Sequence, residues 1–256
     1  MKKMILAAAS VAISAAFSAG FAHAQEVKPE EAKPEHEVSF NAALTSDYRY
    51  RGISQTRLQP ALQGGADYTH NPSGFYAGTW LSTIKWTKDA GGSGDIEWDI
   101  YAGKRGEITK DVSYDIGVLS YVYPSNGLPT SANTTEVYGQ LGYGPVYAKY
   151  SHAVTNLFGF ADSKHSGYLD LGANVEVASG LTLNLHVGRQ KVKNTEFYSY
   201  TDWKVGLTKD FGAVLNGLSG ALAVIGTNAG EVAYASPANG KFLGKTALVA
   251  TITKTF

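Results

Sequence analysis

Residues 38–51 read Val-Ser-Phe-Asn-Ala-Ala-Leu-Thr-Ser-Asp-Tyr-Arg-Tyr-Arg. Even positions carry Val38, Phe40, Ala42, Leu44, Tyr48 and Tyr50, broken only by Ser46. Odd positions carry Ser39, Asn41, Thr45, Asp47, Arg49 and Arg51, with Ala43 the small exception. Successive side chains of a strand point to opposite faces, so one face here is apolar and the other charged. Similar units recur, about twelve in all. They fall at 38–51, 61–69, 74–84, 95–104, 112–123, 135–143, 146–153, 167–177, 181–190, 200–209, 218–227 and 245–256. Ile96, Trp98, Ile100 and Ala102 oppose Asp95, Glu97, Asp99 and Tyr101. Leu169, Leu171, Ala173, Val175 and Val177 oppose Asp170, Asn174 and Glu176. Leu181, Leu183, Leu185 and Val187 oppose Thr182, Asn184 and His186; Trp203, Val205 and Leu207 oppose Asp202, Lys204 and Thr208. In 74–84 the faces are ambiguous, because Trp80 and Leu81 fall on opposite sides; 218–227 is apolar on both.

Alternation alone suits a soluble sandwich with its apolar face inward or a membrane barrel with that face outward. The connections discriminate. Links around 52–60, 85–94, 124–134, 154–166, 191–199 and 228–244 are long; those at 70–73, 105–111, 144–145, 178–180 and 210–217 are shorter. Short periplasmic turns alternating with long extracellular loops are the habit of outer-membrane barrels, and Greek-key sandwiches break such parity. The expected fold is therefore all-β: a transmembrane antiparallel up-and-down barrel of about 12 strands, with both termini periplasmic.

The chain ends bear on the same choice. Residues 1–24 read as a secretory signal: Lys2 and Lys3, an apolar run from Met4 to Phe21, and a small-x-small site at Ala22-His23-Ala24. Residues 25–37, QEVKPEEAKPEHE, are charged and proline-bearing with a single Val. They are expected to form a disordered periplasmic linker, with a small arm or plug as the alternative. The barrel is expected over 38–256. Its last strand places Leu248, Ala250, Ile252 and Phe256 on one face, and Thr251, Thr253 and Thr255 on the other. A terminal Phe closing such a strand resembles the signal read by the barrel assembly machinery; Lys254 departs from it.

Composition limits the chemistry. There is no Cys, hence neither disulfide nor thiolate metal site. Charged residues make up 17%, and 22 Lys and Arg balance 22 Asp and Glu. Loss of Lys2 and Lys3 with the signal leaves a slight acidic excess, and nothing suggests nucleic-acid binding. Past the signal no apolar run approaches the ~20 residues of a membrane helix. Tyr48, Tyr50, Tyr121, Tyr123, Tyr198 and Tyr200 at the long-loop ends, with Tyr68, Tyr143, Phe211 and Phe256 at the short-turn ends, are expected to form two aromatic girdles.

The stretch 38–99 resembles TorF-family porins, proteobacterial outer-membrane proteins. The carrying blocks are Leu44-Thr45-Ser46-Asp47-Tyr48-Arg49-Tyr50-Arg51-Gly52-Ile53-Ser54-Gln55-Thr56, Pro60-Ala61-Leu62-Gln63-Gly64-Gly65 and Ser73-Gly74-Phe75-Tyr76-Ala77-Gly78-Thr79-Trp80. The likeness is dense in the first third of the mature chain and thin later. It implies an outer-membrane porin of a Gram-negative bacterium, and carries no catalytic or binding residue across.

Candidate lumen-lining residues are Asp47, Arg49, Arg51, Asp67, Asp95, Glu97, Asp99, Asp170, Glu176, Asp202 and Lys204, joined on the same faces by Asp115, Glu136 and Lys149. Charge in a water-filled lumen sets ion selectivity, and the acidic majority points to cations or zwitterions. The competing reading is a web of pairs filling a narrow barrel, since buried charges must pair or be hydrated. Twelve strands lie between eight, which side chains fill, and sixteen, which leave a wide channel. Catalysis is not expected. Ser151 and His152 are adjacent and face opposite ways, and neither Gly-x-Ser-x-Gly nor His-Glu-x-x-His occurs. No cofactor is expected, and each lone His reads as a polar residue rather than a metal ligand. Two functions remain: a channel for passive diffusion of small hydrophilic solutes or ions, or a closed structural or adhesive barrel. Both would have outer-membrane lipid as partner.

Overall fold

A computed structural model describes residues 34–256. The segment 1–24 and most of 25–37 lie outside the described residues. Twelve strands close an antiparallel barrel: β1 (His36–Thr45), β4 (Ala61–His70), β5 (Phe75–Thr83), β6 (Ile96–Thr109), β7 (Val112–Val122), β8 (Thr134–Tyr143), β9 (Val146–Ala153), β10 (Gly167–Ala178), β11 (Leu181–Lys191), β12 (Tyr200–Asp210), β13 (Leu218–Thr227) and β14 (Ala247–Thr255). Each pairs with its sequence neighbour in the wall, and β1 meets β14 through Asn41↔Thr255 to Thr45↔Thr251. Two short strands, β2 (Arg49–Tyr50) and β3 (Ile53–Ser54), form a separate hairpin. Among the described residues no helix is long and apolar enough to cross a membrane.

Closure settles which face is wet. Val38, Phe40, Leu62, Ile100, Leu141, Leu171, Val205, Leu222 and Ile252 all lie exposed on the outer surface. This belt far exceeds the apolar patch a soluble monomer shows, so the sandwich alternative fails. The wall's backbone groups pair between neighbouring strands around the closed barrel, as a span without water demands. The face ambiguity of β5 also resolves: Trp80 points inward and buried, Leu81 outward and exposed.

Two of the tight turns carry bulges. The register slips between Glu107 and Thr109 of β6 and between Glu176 and Ala178 of β10. Parity requires the second slip. Even-numbered residues face inward on both β10 and β11, and a hairpin closed through Ala178↔Leu181 pairs odd with even until one residue is set aside.

The inner face is built from tyrosines laid over glycines. Tyr101 sits directly across from Gly78, Tyr76 from Gly103, Tyr138 from Gly117 and Tyr147 from Gly172. A Cβ at any of these glycines would lie within 2.4–2.6 Å of the tyrosine ring or hydroxyl. The missing side chain is what lets each ring lie against the wall.

The girdle expectation holds at one end. Tyr68, Tyr143, Phe211 and Phe256 are exposed at the short-turn rim. At the long-loop end Tyr48, Tyr50, Tyr121, Tyr123 and Tyr200 are buried instead. They point into the barrel, where their hydroxyls and rings meet polar partners and one another.

Candidate functional site: the barrel lumen

The first strand is shorter than its pattern. It leaves the wall after Thr45, where Ser46 N–H donates to Ala250 O (2.8 Å) and Ala250 N–H donates to Ser46 Oγ (2.9 Å). The chain then folds inward as the β2–β3 hairpin. Its two-residue turn, Arg51-Gly52, has φ of +46° and +79°. Both central residues of a type I′ turn need positive φ, which suits Gly and strains Arg by about 1–2 kcal/mol. Gly52 cannot be enlarged, because a Cβ would sit 2.4 Å from Thr227 Cγ2 and 2.8 Å from Asp202 Cβ.

The hairpin crosses the lumen. Tyr48 Oη donates to Glu97 on β6 (2.5 Å), and Tyr50 Oη donates to Tyr121 Oη on β7 (2.7 Å). At the tip, Arg51 donates to both carboxylate oxygens of Glu136 on β8 (3.1 and 2.7 Å) and to Gln190 on β11 (2.7 Å). Its guanidinium lies 4.1 Å from the Tyr168 ring centre on β10. In the strand order these partners lie opposite β1. Such a bidentate, stacked contact suits Arg and not Lys.

Asp47 and Arg49 hold the hairpin to itself and to the last loop. Arg49 Nε donates to Asp47 at 2.5 Å, and its Nη1 donates to the carbonyls of Gly52, Leu243 and Lys245. Asp47 also accepts from Ser54 (2.6 Å) and Thr56 (3.2 Å). The parity argument thus placed Asp47, Arg49 and Arg51 in the interior, by way of a longer strand. It also placed Tyr48 and Tyr50 outside, and the hairpin corrects that.

Acids on the β4–β8 side are met by tyrosines. Asp67 accepts from Tyr101 (2.5 Å), Asp115 from Tyr76 (2.6 Å), and Glu97 from Tyr123 (2.8 Å) as well as Tyr48. Glu97 is 1% exposed and Asp99 fully buried. Among the described residues neither Asp99 oxygen has a hydrogen-bond partner. Around them Tyr48, Tyr50, Trp80, Tyr101, Tyr121 and Tyr123 pack with Phe158 into one cluster that fills this half of the lumen.

Beside the hairpin tip lies a cavity of about 70 Å³, lined by Arg51, Lys149, Ser151, Asp170, His186, Asp202 and Lys204 among others, with Tyr50 and Tyr121 of the aromatic cluster at its edge. By that measure it holds a few waters. His186 faces Asp170 through Nδ1 and Asp202 through Nε2, each at 2.7 Å. Only an imidazolium donates from both nitrogens, so the geometry is that of a charged histidine. Tyr168 Oη donates to the second oxygen-bearing face of Asp202 (2.9 Å). Lys149 stacks 3.9 Å over the Tyr138 ring, and Lys204 lines the same wall. With Arg51 matched by Glu136 and Arg49 by Asp47, the wall carries Lys149, Lys204 and His186 against Asp170 and Asp202.

Two sequence candidates fall elsewhere. Asp95 precedes β6 and pairs in its loop with Lys88 at 2.7 Å; that hydrogen bond holds its carboxyl below the usual range. Glu176, exposed, accepts from Gly180 N–H across the short turn (3.2 Å). Both keep the inward parity, but Asp95 lies in the loop before β6 and Glu176 lies exposed at the short-turn end of β10, where the turn uses it. Tyr168, Gln190 and the pairing of His186 were not anticipated. Tyr168 shares the even parity of Asp170, a signal that was present. Ser151 is buried inward, while His152 turns outward and meets His165 (3.0 Å).

The sequence pattern of Gcw_chp, a bacterial protein family of unknown function, matches residues 29–256. The chain belongs to the Gcw_chp family. A comparison with curated proteins returns no match. Solved barrels share the fold of this Gcw_chp chain at low identity. The KdgM porin, in complex with disordered oligogalacturonate, superposes with a TM-score of 0.53 at 7% identity, covering 86% of this chain and 98% of that one. The NanC porin gives 0.53 at 10% identity, covering 86% and 99%. An outer-membrane channel from Pseudomonas putida F1 gives 0.50 at 14% identity, covering 90% and 100%. The Gcw_chp chain is thus an outer-membrane-type barrel similar to small porins.

Proposed function

We propose that this barrel is a narrow outer-membrane channel for passive diffusion of small hydrophilic solutes, with anions favoured. The carrying observation is the cavity at the hairpin tip. Its carboxylates Asp170 and Asp202 are engaged by His186 and Tyr168, and Lys149 and Lys204 line the same space beside an Arg51 matched by Glu136. An acidic majority in the sequence pointed to cations. Asp67, Glu97 and Asp115 lie under tyrosines on the β4–β8 side, and Asp95 and Glu176 lie in a loop and at the short-turn rim, which supports an anion preference at the cavity. The porin likeness supports the fold, and the resemblance of residues 38–99 to TorF-family porins points the same way.

In this reading the long loops are extracellular and both termini periplasmic. A signal peptide over 1–24 directs export, and Phe256 is offered to the barrel assembly machinery. That last ring is well placed: Phe256 N–H donates to Phe40 O (2.9 Å), at the seam where β14 closes on β1, and the ring is exposed.

The test is single-channel recording in a planar bilayer. Small stepwise currents are expected, with a reversal potential on the anion side of a salt gradient and a shift toward cations in Lys204→Glu. A folded but silent barrel would leave the second reading, a closed structural or adhesive barrel. The latch of Arg51 to Glu136 and the aromatic cluster favour that reading.

A further inference from the structure

The structure assigns a divalent transition-metal site to Glu35, His36 and His70, at the short-turn rim of the barrel and independent of the lumen. Facing ligand atoms of these residues lie within 4.8 Å of one another. Glu35 Oε1 is 3.4 Å from His70 Nε2 and 3.7 Å from His36 Nε2. Zinc bonds of about 2.0–2.2 Å in a tetrahedron set neighbouring ligands roughly 3.4 Å apart, so both Glu35 distances fit within a few tenths of an ångström, and the two imidazole nitrogens lie no more than 4.8 Å apart. No single residue suggested it. His36 and His70 become neighbours only because the β1–β4 register pairs them.

Three features go beyond proximity. First, the far nitrogens are already occupied: His36 Nδ1 lies 2.8 Å from Tyr68 Oη, and His70 Nδ1 lies 2.6 Å from Ser73 Oγ. Such second partners orient a ligating imidazole and leave Nε2 for the metal. Second, Asn71 holds the segment carrying Glu35. Its N–H donates to Glu35 O (2.9 Å), and its amide donates to Pro34 O (2.8 Å) and Glu37 Oε2 (3.3 Å). Third, the site lies where the wall is thinnest in partners. β1 pairs with β14 from Asn41 onward, whereas His36 to Ser39 pair with β4 alone. A metal there would staple the overhanging start of the barrel to its first turn. Two imidazoles and one carboxylate suit Zn²⁺, with Ni²⁺ and Cu²⁺ as competitors, and leave a fourth position for solvent.

Cobalt serves as the spectroscopic probe, on the full barrel without an affinity tag, folded in detergent. Titration with Co²⁺ is expected to give visible d–d absorption saturating at one ion per chain and displaced by Zn²⁺. His36→Ala/His70→Ala should abolish it. Tyr68→Phe should weaken binding on the order of 10–100-fold through loss of the orienting hydroxyl. Glu35→Gln, at an exposed position that leaves folding intact, should weaken it too. No saturable absorption overturns the assignment. So does equal binding by the double histidine variant, which would place the metal at the exposed His152–His165 pair.

Discussion

Arg51 takes a strained backbone to place one guanidinium on the far wall of the barrel. It is buried, bidentate to Glu136 and stacked on Tyr168. Removing one partner of a buried pair strands the other, at about 3–5 kcal/mol. Arg51→Met is therefore expected to lower the midpoint of urea unfolding in detergent. Asp99 gives the opposite expectation. Its carboxylate is buried without a hydrogen-bond partner among the described residues, two residues from Glu97 on the same face. Asp99→Asn keeps the shape and removes the charge, so it should raise stability by on the order of 1 kcal/mol. An unchanged midpoint in both variants would show that the lumen's charges do not matter to stability. The sequence placed both residues inside by parity alone. It could not show that one would be paired and the other not, because their partners come from strands distant in the chain.

At the scale of elements, the β2–β3 hairpin decides how much lumen is left. Most other strand boundaries fall within a few residues of the sequence reading, though β6 runs to Thr109 through most of the link expected at 105–111; β1 stops at Thr45 although alternation continues to Arg51. Alternation persists because the hairpin is itself extended; only Arg51-Gly52, with two positive φ values, marks the reversal. Most of the hairpin's polar groups bond within it or to the wall, and its removal would open Glu97 and Glu136 to lumen water. Replacing residues 47–58 by a short Gly-Ser link should raise single-channel conductance several-fold while the barrel still forms. Conductance unchanged from the native chain would mean that the aromatic cluster, not the hairpin, is the constriction.

For the whole molecule the open matter is direction. The wall alternates long loops at one end with shorter connections at the other, and the chain's lack of Cys makes topology simple to read. Glu231→Cys in the longest loop is expected to react with a membrane-impermeant maleimide on intact cells. Ser179→Cys in a two-residue turn is expected to react only after the outer membrane is breached. The reverse labelling would invert the barrel.

What the sequence determined by itself was the wall: strand number, which residues share a face, and alternating loop lengths. These follow from local rules, since a strand's period is two and turns announce themselves. The bulge near Ala178 was not among them, because equal parity on β10 and β11 is met as well by a three-residue link at 178–180. The sandwich or barrel choice needed closure, because alternation is the same whichever face is wet. The contents of the lumen were also decided only in three dimensions. Polar inward residues are compatible with water, with a loop, or with one another, and that choice is made across the barrel rather than along the chain. Asp170, His186 and Asp202 meet through register, Tyr48 and Glu97 through an infolded hairpin, and His36 and His70 through the pairing of β1 with β4.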